Sequence, residues 1–270
     1  MISLSDLRRF KKEGRKFSCL TCYDASMSKA MEVAQIDSVL IGDSLGMTIQ
    51  GHDSTLPVTV RDMVYHTACV RRANQHAFIM ADLPFMAYAT TNDALKNAKK
   101  VMQAGAQMVK IEGGAWLADT VASLTRNGVP VCMHLGLTPQ SVNVFGGYKV
   151  QARTRQAADT LLQECRTLVE AGAAILLLEC VPAQVGKEVA QAFPETPVIG
   201  IGAGADTDGQ VLVVQDMLGL TQGHVAKFVY NFMSTQSGPY AILDAIKTYH
   251  HAVTTNIFPA LEQTFQIELK

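Results

Sequence analysis

VLIGDSLGM, residues 39–47, is an apolar run that delivers a carboxylate, Asp43, at its end. The pattern recurs: FIMAD ends at Asp82, MVKIE at Glu112 and ILLLE at Glu179. Working outward, similar runs return at a regular pitch, at 17–24, 37–44, 77–84, 107–114, 130–136, 174–181, 197–203 and 210–216. Most are near-continuous rather than alternating, which marks strands covered on both faces, as in parallel sheets. Segments of helical spacing lie between them, at 26–35, 58–73, 91–106, 115–128 and 153–173. Thr91 or Asn92 is the expected N-cap of the third of these and Gly105 its stop. Such repeated βα units predict an α/β fold of the (β/α)8 TIM-barrel type. The barrel is expected to occupy residues 1–270 as one domain, with a short N-terminal helix and a helical C-terminal extension, from about residue 223, to which no role is assigned. A doubly wound open sheet is the alternative, but it calls for a glycine-rich first turn, and YDASMS (23–28) has no glycine.

The 270 residues are 48% hydrophobic and 17% charged, enough apolar material for a large core. A formal net charge of −1 and no long Lys/Arg block argue against nucleic acid or an anionic membrane as partner and leave a small molecule. No run reaches the roughly 18 apolar residues that span a bilayer. The N-terminus lacks a signal-peptide core and reads as an amphipathic helix with Leu4, Leu7 and Phe10 on one face, so a cytoplasmic location is expected. Of six cysteines, Cys19 and Cys22 form a lone C-x-x-C without a second pair, and core packing is expected for them rather than metal or redox work.

Active sites of (β/α)8 barrels lie at the C-terminal ends of the strands. Asp43, Asp82, Glu112 and Glu179 occupy such ends, as do Asp24 and His134. A strand-end Asp can merely cap the following helix. Several buried carboxylates converging on one mouth would repel one another, and a hard divalent cation resolves that. Oxygen donors without a matching His or Cys set favour Mg²⁺ over Zn²⁺, with Mn²⁺ and Co²⁺ also suited. Lys110 lies two residues before Glu112 and so projects to the same face. It either neutralises Glu112 or holds a substrate carboxylate or a developing enolate oxygen. His134 is a candidate for a second-tier role, as ligand or hydrogen-bond partner, or else a structural histidine. The loop GIGAGADTDG (200–209) offers backbone N–H groups to a phosphate, or is simply tight.

On these residues the sequence resembles the ketopantoate hydroxymethyltransferase family. The matching segments are VLIGDSLGMTIQGHDSTLPVTVRDMVYHTACVRRA, ADLPFMAYAT, GAQMVKIEGG, HLGLTPQSVNVFGGYKVQ, LLLECVP and VIGIGAGADTDGQVLVVQDMLG, in family order over about residues 15–230. The resemblance implies a barrel of the phosphoenolpyruvate/pyruvate superfamily and a homo-oligomer, usually a decamer. It implies transfer of a hydroxymethyl group from 5,10-methylenetetrahydrofolate to 3-methyl-2-oxobutanoate, giving 2-dehydropantoate in pantothenate biosynthesis, through a Mg-stabilised enolate. Asp43 and Asp82 would bind Mg²⁺ directly and Glu112 through water. Asp43, Ser44, Asp82 and Lys110 would contact the oxoacid, and Glu179 would accept the proton. How the folate is held is not given by the sequence; a groove near the loops after the first, second and eighth strands is a candidate. Two departures stand out: Met133 and Ala152 each replace a common glycine. A Mg²⁺-dependent carbon–carbon lyase of the same superfamily is the nearest alternative, but its KKCGH-type loop is missing. A non-catalytic barrel would have blunted strand ends.

Overall fold

The computed structural model describes residues 1–223 and 225–269. Eight strands form a closed parallel barrel in sequence order: β1 (Phe17–Thr21), β2 (Ser38–Ile41), β3 (Phe78–Asp82), β4 (Met108–Glu112), β5 (Val131–Gly136), β6 (Ile175–Glu179), β7 (Val198–Ile201) and β8 (Gly209–Leu212), with β8 returning to β1. Nearly every strand residue is buried, which is why the runs read as continuous rather than alternating. Closure rules out the open sheet.

Among the described residues eleven α-helices surround the strands: α1 (Leu4–Lys12), α2 (Ala25–Val33), α3 (Leu45–Thr48), α4 (Val60–Ala73), α5 (Thr91–Gln103), α6 (Ala118–Arg126), α7 (Val142–Phe145), α8 (Arg155–Glu170), α9 (Ala183–Ala192), α10 (Val214–Met217) and α11 (Ala241–Thr254). The N-cap of α5 is Thr90, one residue before the expected pair, because its hydroxyl is the one that reaches the Asp93 N–H. The eighth apolar run overshoots its strand. After Leu212 the chain turns into α10, and the Thr21 hydroxyl takes the Val214 N–H at 3.0 Å in place of a strand partner.

Leu7 and Phe10 of α1 are buried, and Leu4 is partly so. Lys11 ties α1 to the N-terminal rim of the barrel, through Asp208 at 2.7 Å and the carbonyls of Ala190 and Thr196. α11 packs on β1 and α2, filling the gap in the helical ring between the last and first strands. Its buried Tyr249 places a hydroxyl 2.9 Å from the Cys19 carbonyl and 2.8 Å from that of Gln210. All six cysteines are free thiols; Cys19 and Cys22 are buried, and burial pushes both up to about 12, so they are inert core residues. Among the described residues no helix is long and apolar enough to cross a membrane.

Candidate active site

A cavity of about 540 Å³ opens at the C-terminal ends of the strands. Asp43, Ser44, Asp82, Lys110, Glu112, His134 and Glu179 all line it. Asp24 does not join them: its carboxylate accepts the Met27 N–H at 2.9 Å and caps α2. A second hollow, of about 520 Å³, lies between the β4 and β5 loops and α8, and there Glu164 takes the Ala115 N–H.

Strand register explains why these side chains meet. Asp82 stands opposite Lys110, and Glu112 opposite His134. Lys110 and Glu112 are two residues apart, so both face the barrel interior. Lys110 Nζ therefore lies 3.0 Å from Asp82 Oδ1 and 3.4 Å from Glu112 Oε1. Glu179 pairs in register with Gly136, where φ is +87° and a Cβ would stand 2.3 Å from the Glu179 carbonyl oxygen. Only glycine lets β5 pass that point.

Burial alone would lower the Lys110 pKa, but Asp82, Glu112 and Asp43 outweigh it and hold the group well above the usual lysine range. Lys110 is thus a fixed cation and not a base. Burial and Lys110 both push His134 down, yet Glu112 and Glu179 hold it up at about 9. The protonated ring gives its Nδ1–H to Glu112 Oε1 at 3.0 Å, and Nε2 lies 3.2 Å from Glu179 Oε2. Lys110 Nζ, 3.2 Å from Nδ1, is held there by the carboxylates rather than by the ring. The balance of these groups settles Glu112 at about 2: burial raises it, and His134 and Lys110 more than reverse that.

Asp43 and Asp82 behave differently. Burial, then the charges of Asp82 and Glu112, push Asp43 well above the usual carboxylate range. Burial also raises Asp82, although Lys110 pulls it back. Asp82 Oδ2 accepts the Asp43 backbone N–H at 3.0 Å, while Oδ1 is ion-paired with Lys110 Nζ at 3.0 Å. Two adjacent buried carboxylates, both under pressure to take up protons, suit a hard cation. Glu112 suits only an indirect role, since its oxygens already serve His134 and the Gln140 N–H (3.0 Å). Among the described residues no three His, Cys, Asp or Glu side chains form a ready-made cage. An ion held here by two carboxylates would complete its shell with water and substrate oxygens, the habit of Mg²⁺.

Three further residues organise the site. Gln140 donates through Nε2 to Asp43 Oδ2 (2.8 Å) and to the Leu83 carbonyl (3.0 Å), and Tyr88 donates to its Oε1. The Tyr23 hydroxyl is 2.8 Å from Ser44 Oγ. A neutral polar residue in a loop gives no sign of its role in isolation; the signal here was only that Gln140 and Tyr88 lie inside the long matching segments HLGLTPQ and ADLPFMAYAT.

The family model described as ketopantoate hydroxymethyltransferase matches residues 1–261. The chain is 77% identical to the 3-methyl-2-oxobutanoate hydroxymethyltransferase of Acinetobacter baumannii (strain AYE), over all of both chains. It is 58% identical to the protein of the same name from Psychrobacter sp. (strain PRwf-1), over 98% of this chain and 100% of that one. Among solved structures, phosphonopyruvate hydrolase superposes with a TM-score of 0.61 at 13% identity, over 82% of this chain and 84% of that one. A 2,3-dimethylmalate lyase of the PEP mutase/isocitrate lyase superfamily gives 0.56 at 16%, over 78% and 81%. These two likenesses concern the barrel alone.

Proposed function

The chain belongs to the ketopantoate hydroxymethyltransferase family, and from that premise we propose that it joins the one-carbon unit of 5,10-methylenetetrahydrofolate to C3 of 3-methyl-2-oxobutanoate in a Mg²⁺-dependent reaction. The observation that carries this reading is the pair of adjacent buried carboxylates Asp43 and Asp82, beside the fixed cation Lys110 in one cavity with Glu179.

In this reading Asp43 and Asp82 would hold Mg²⁺, with Glu112 in an indirect role. Bound there, the ion would supply Lewis-acid polarisation of the oxoacid's keto group. Lys110 and Ser44 orient the oxoacid, the first by charge and the second by a hydroxyl that Tyr23 fixes. Gln140 keeps Asp43 in place. Glu179 takes the proton from C3. His134, positioned between Glu112 and Glu179, aims that carboxylate. In the net reaction the C3–H bond breaks, a bond forms from C3 to the donor's methylene carbon, one water supplies the hydroxyl, and tetrahydrofolate leaves. A homodecamer, supported by the sequence resemblance, belongs to the same reading, as does a cytoplasmic location. The test is product formation: purified protein given both substrates and Mg²⁺ yields 2-dehydropantoate and stops when a chelator is added. No product from these substrates, under conditions where the protein is folded, would overturn the reading.

A further inference from the structure

The polar cluster uses only part of the cavity. Its side chains come from β2 to β5 and the segments after them, with Glu179 at the end of β6. About 540 Å³ is the size of a pocket for a drug-sized ligand, well beyond a small branched oxoacid. The opposite wall has another character. Phe228 and Phe265 line it, together with Asp216 of α10 and Thr221.

Both rings pack on Gly202 after β7: a Cβ there would lie 2.8 Å from Phe228 Cδ1 and 3.1 Å from Phe265 Cε2. The glycine that read as a tight loop is the seat of this aromatic wall. The wall is anchored. The Phe265 carbonyl accepts the Ala183 N–H at 3.0 Å, and Lys227 donates to the Thr264 carbonyl at 2.6 Å with its ammonium 5.5 Å from the Phe265 ring centre. Asp216 stands beside the wall. It takes the Thr221 hydroxyl, and among the described residues no cation pairs with it. Burial raises its carboxyl, so it is a group that gains from further donors.

We propose that this wall is the subsite for the pterin ring of the folate co-substrate, with Phe228 and Phe265 against the ring and Asp216 accepting the two adjacent N–H groups of its aminopyrimidine edge. The inference rests on the folate reading given above. A carboxylate is an acceptor with several lone pairs, so Asp216 keeps capacity beyond Thr221. Paired N–H donors in one plane suit it, and a flat heteroaromatic ring gains from an aromatic wall. The oxoacid offers no N–H donors to Asp216, whereas the pterin edge does. Both reactants then share one cavity with Glu179 between their walls, as carbon–carbon bond formation needs.

The test is equilibrium binding of tetrahydrofolate to the whole protein by calorimetry, for wild type, Asp216→Asn, Phe265→Leu and Thr221→Val. Asp216→Asn should raise Kd at least tenfold and Phe265→Leu several-fold, with the oxoacid Kd shifted less than twofold in either. Thr221→Val removes the loop bond but keeps the carboxylate, and should change Kd less than threefold. An Asp216→Asn protein that binds tetrahydrofolate within twofold of wild type would overturn the assignment, as would an equal loss in Thr221→Val. Wild type that binds the oxoacid but no tetrahydrofolate would overturn the folate reading itself, and the subsite with it.

Discussion

Lys110→Met removes the cation that Asp82 Oδ1 approaches to 3.0 Å and Glu112 Oε1 to 3.4 Å, while keeping an unbranched stem of similar length. All three residues are buried, so solvent cannot replace the lost partner. Breaking a buried pair by deleting one member costs about 3–5 kcal/mol. At ~2–4 °C per kcal/mol for large domains, the melting temperature should fall by at least about 6 °C. The deficit is electrostatic, so a second change should reverse part of it. Asp82→Asn in the Lys110→Met background removes the carboxylate left unpaired and should recover about 0.5–3 kcal/mol, the usual coupling between residues in contact. The assay is thermal unfolding followed by circular dichroism, with a chelator present so that no bound metal masks the loss. A Lys110→Met protein that melts within about 2 °C of wild type would refute the reasoning. So would a double variant no more stable than Lys110→Met alone.

Other consequences follow from the same geometry. Glu179→Gln should slow exchange of the oxoacid's C3 hydrogen by about 10²–10⁴ while leaving oxoacid affinity within threefold; exchange at the wild-type rate removes Glu179 from the base role. Ala152 has φ +51°, a left-handed conformation that costs a residue with a Cβ roughly 1–2 kcal/mol. Ala152→Gly should therefore raise the melting temperature, by up to about 8 °C, and a fall would show that the Ala side chain contributes more than its backbone costs. His250 is half-buried beside Ser18 and Asp37, with Arg15, His76 and His251 also near; partial burial first, and then Arg15 and the neighbouring histidines, lower its pKa below 6.5 despite Asp37. The folded state then binds fewer protons than the unfolded one, so stability is full above the unfolded value and is lost as pH falls below 6.5 towards the folded pKa. His250→Gln should flatten the decline of melting temperature between roughly pH 7 and 5, and an unchanged slope would place the acid sensitivity elsewhere.

Much of this was legible in the chain. Parallel strands buried on both faces leave continuous apolar runs, and a charge that interrupts or ends one, such as Lys110 or Asp43, can be seen in the letters alone. Register cannot: that Asp82 faces Lys110 and Glu112 faces His134 depends on how neighbouring strands align. Asp24 and Asp43 look alike in sequence, and only the path after the strand separates a helix cap from a cavity carboxylate. α9 gave little signal, being short with Gly186 at its middle. Asp216 was hidden inside a run that reads as strand to its end, because the hydrogen bond that turns the chain there comes from Thr21, far away in sequence. The C-terminal segment carried no pattern pointing to the site, yet α11 completes the helical ring and Phe265 lines the cavity.

The central claim is metal-assisted removal of the C3 proton within this cavity. The most direct measurement is proton NMR of 3-methyl-2-oxobutanoate in D₂O with the protein and Mg²⁺, with and without tetrahydrofolate. The account predicts loss of the C3 proton signal, abolished by a chelator and by Glu179→Gln. A signal that persists under both conditions, with folded protein and bound oxoacid, would contradict it.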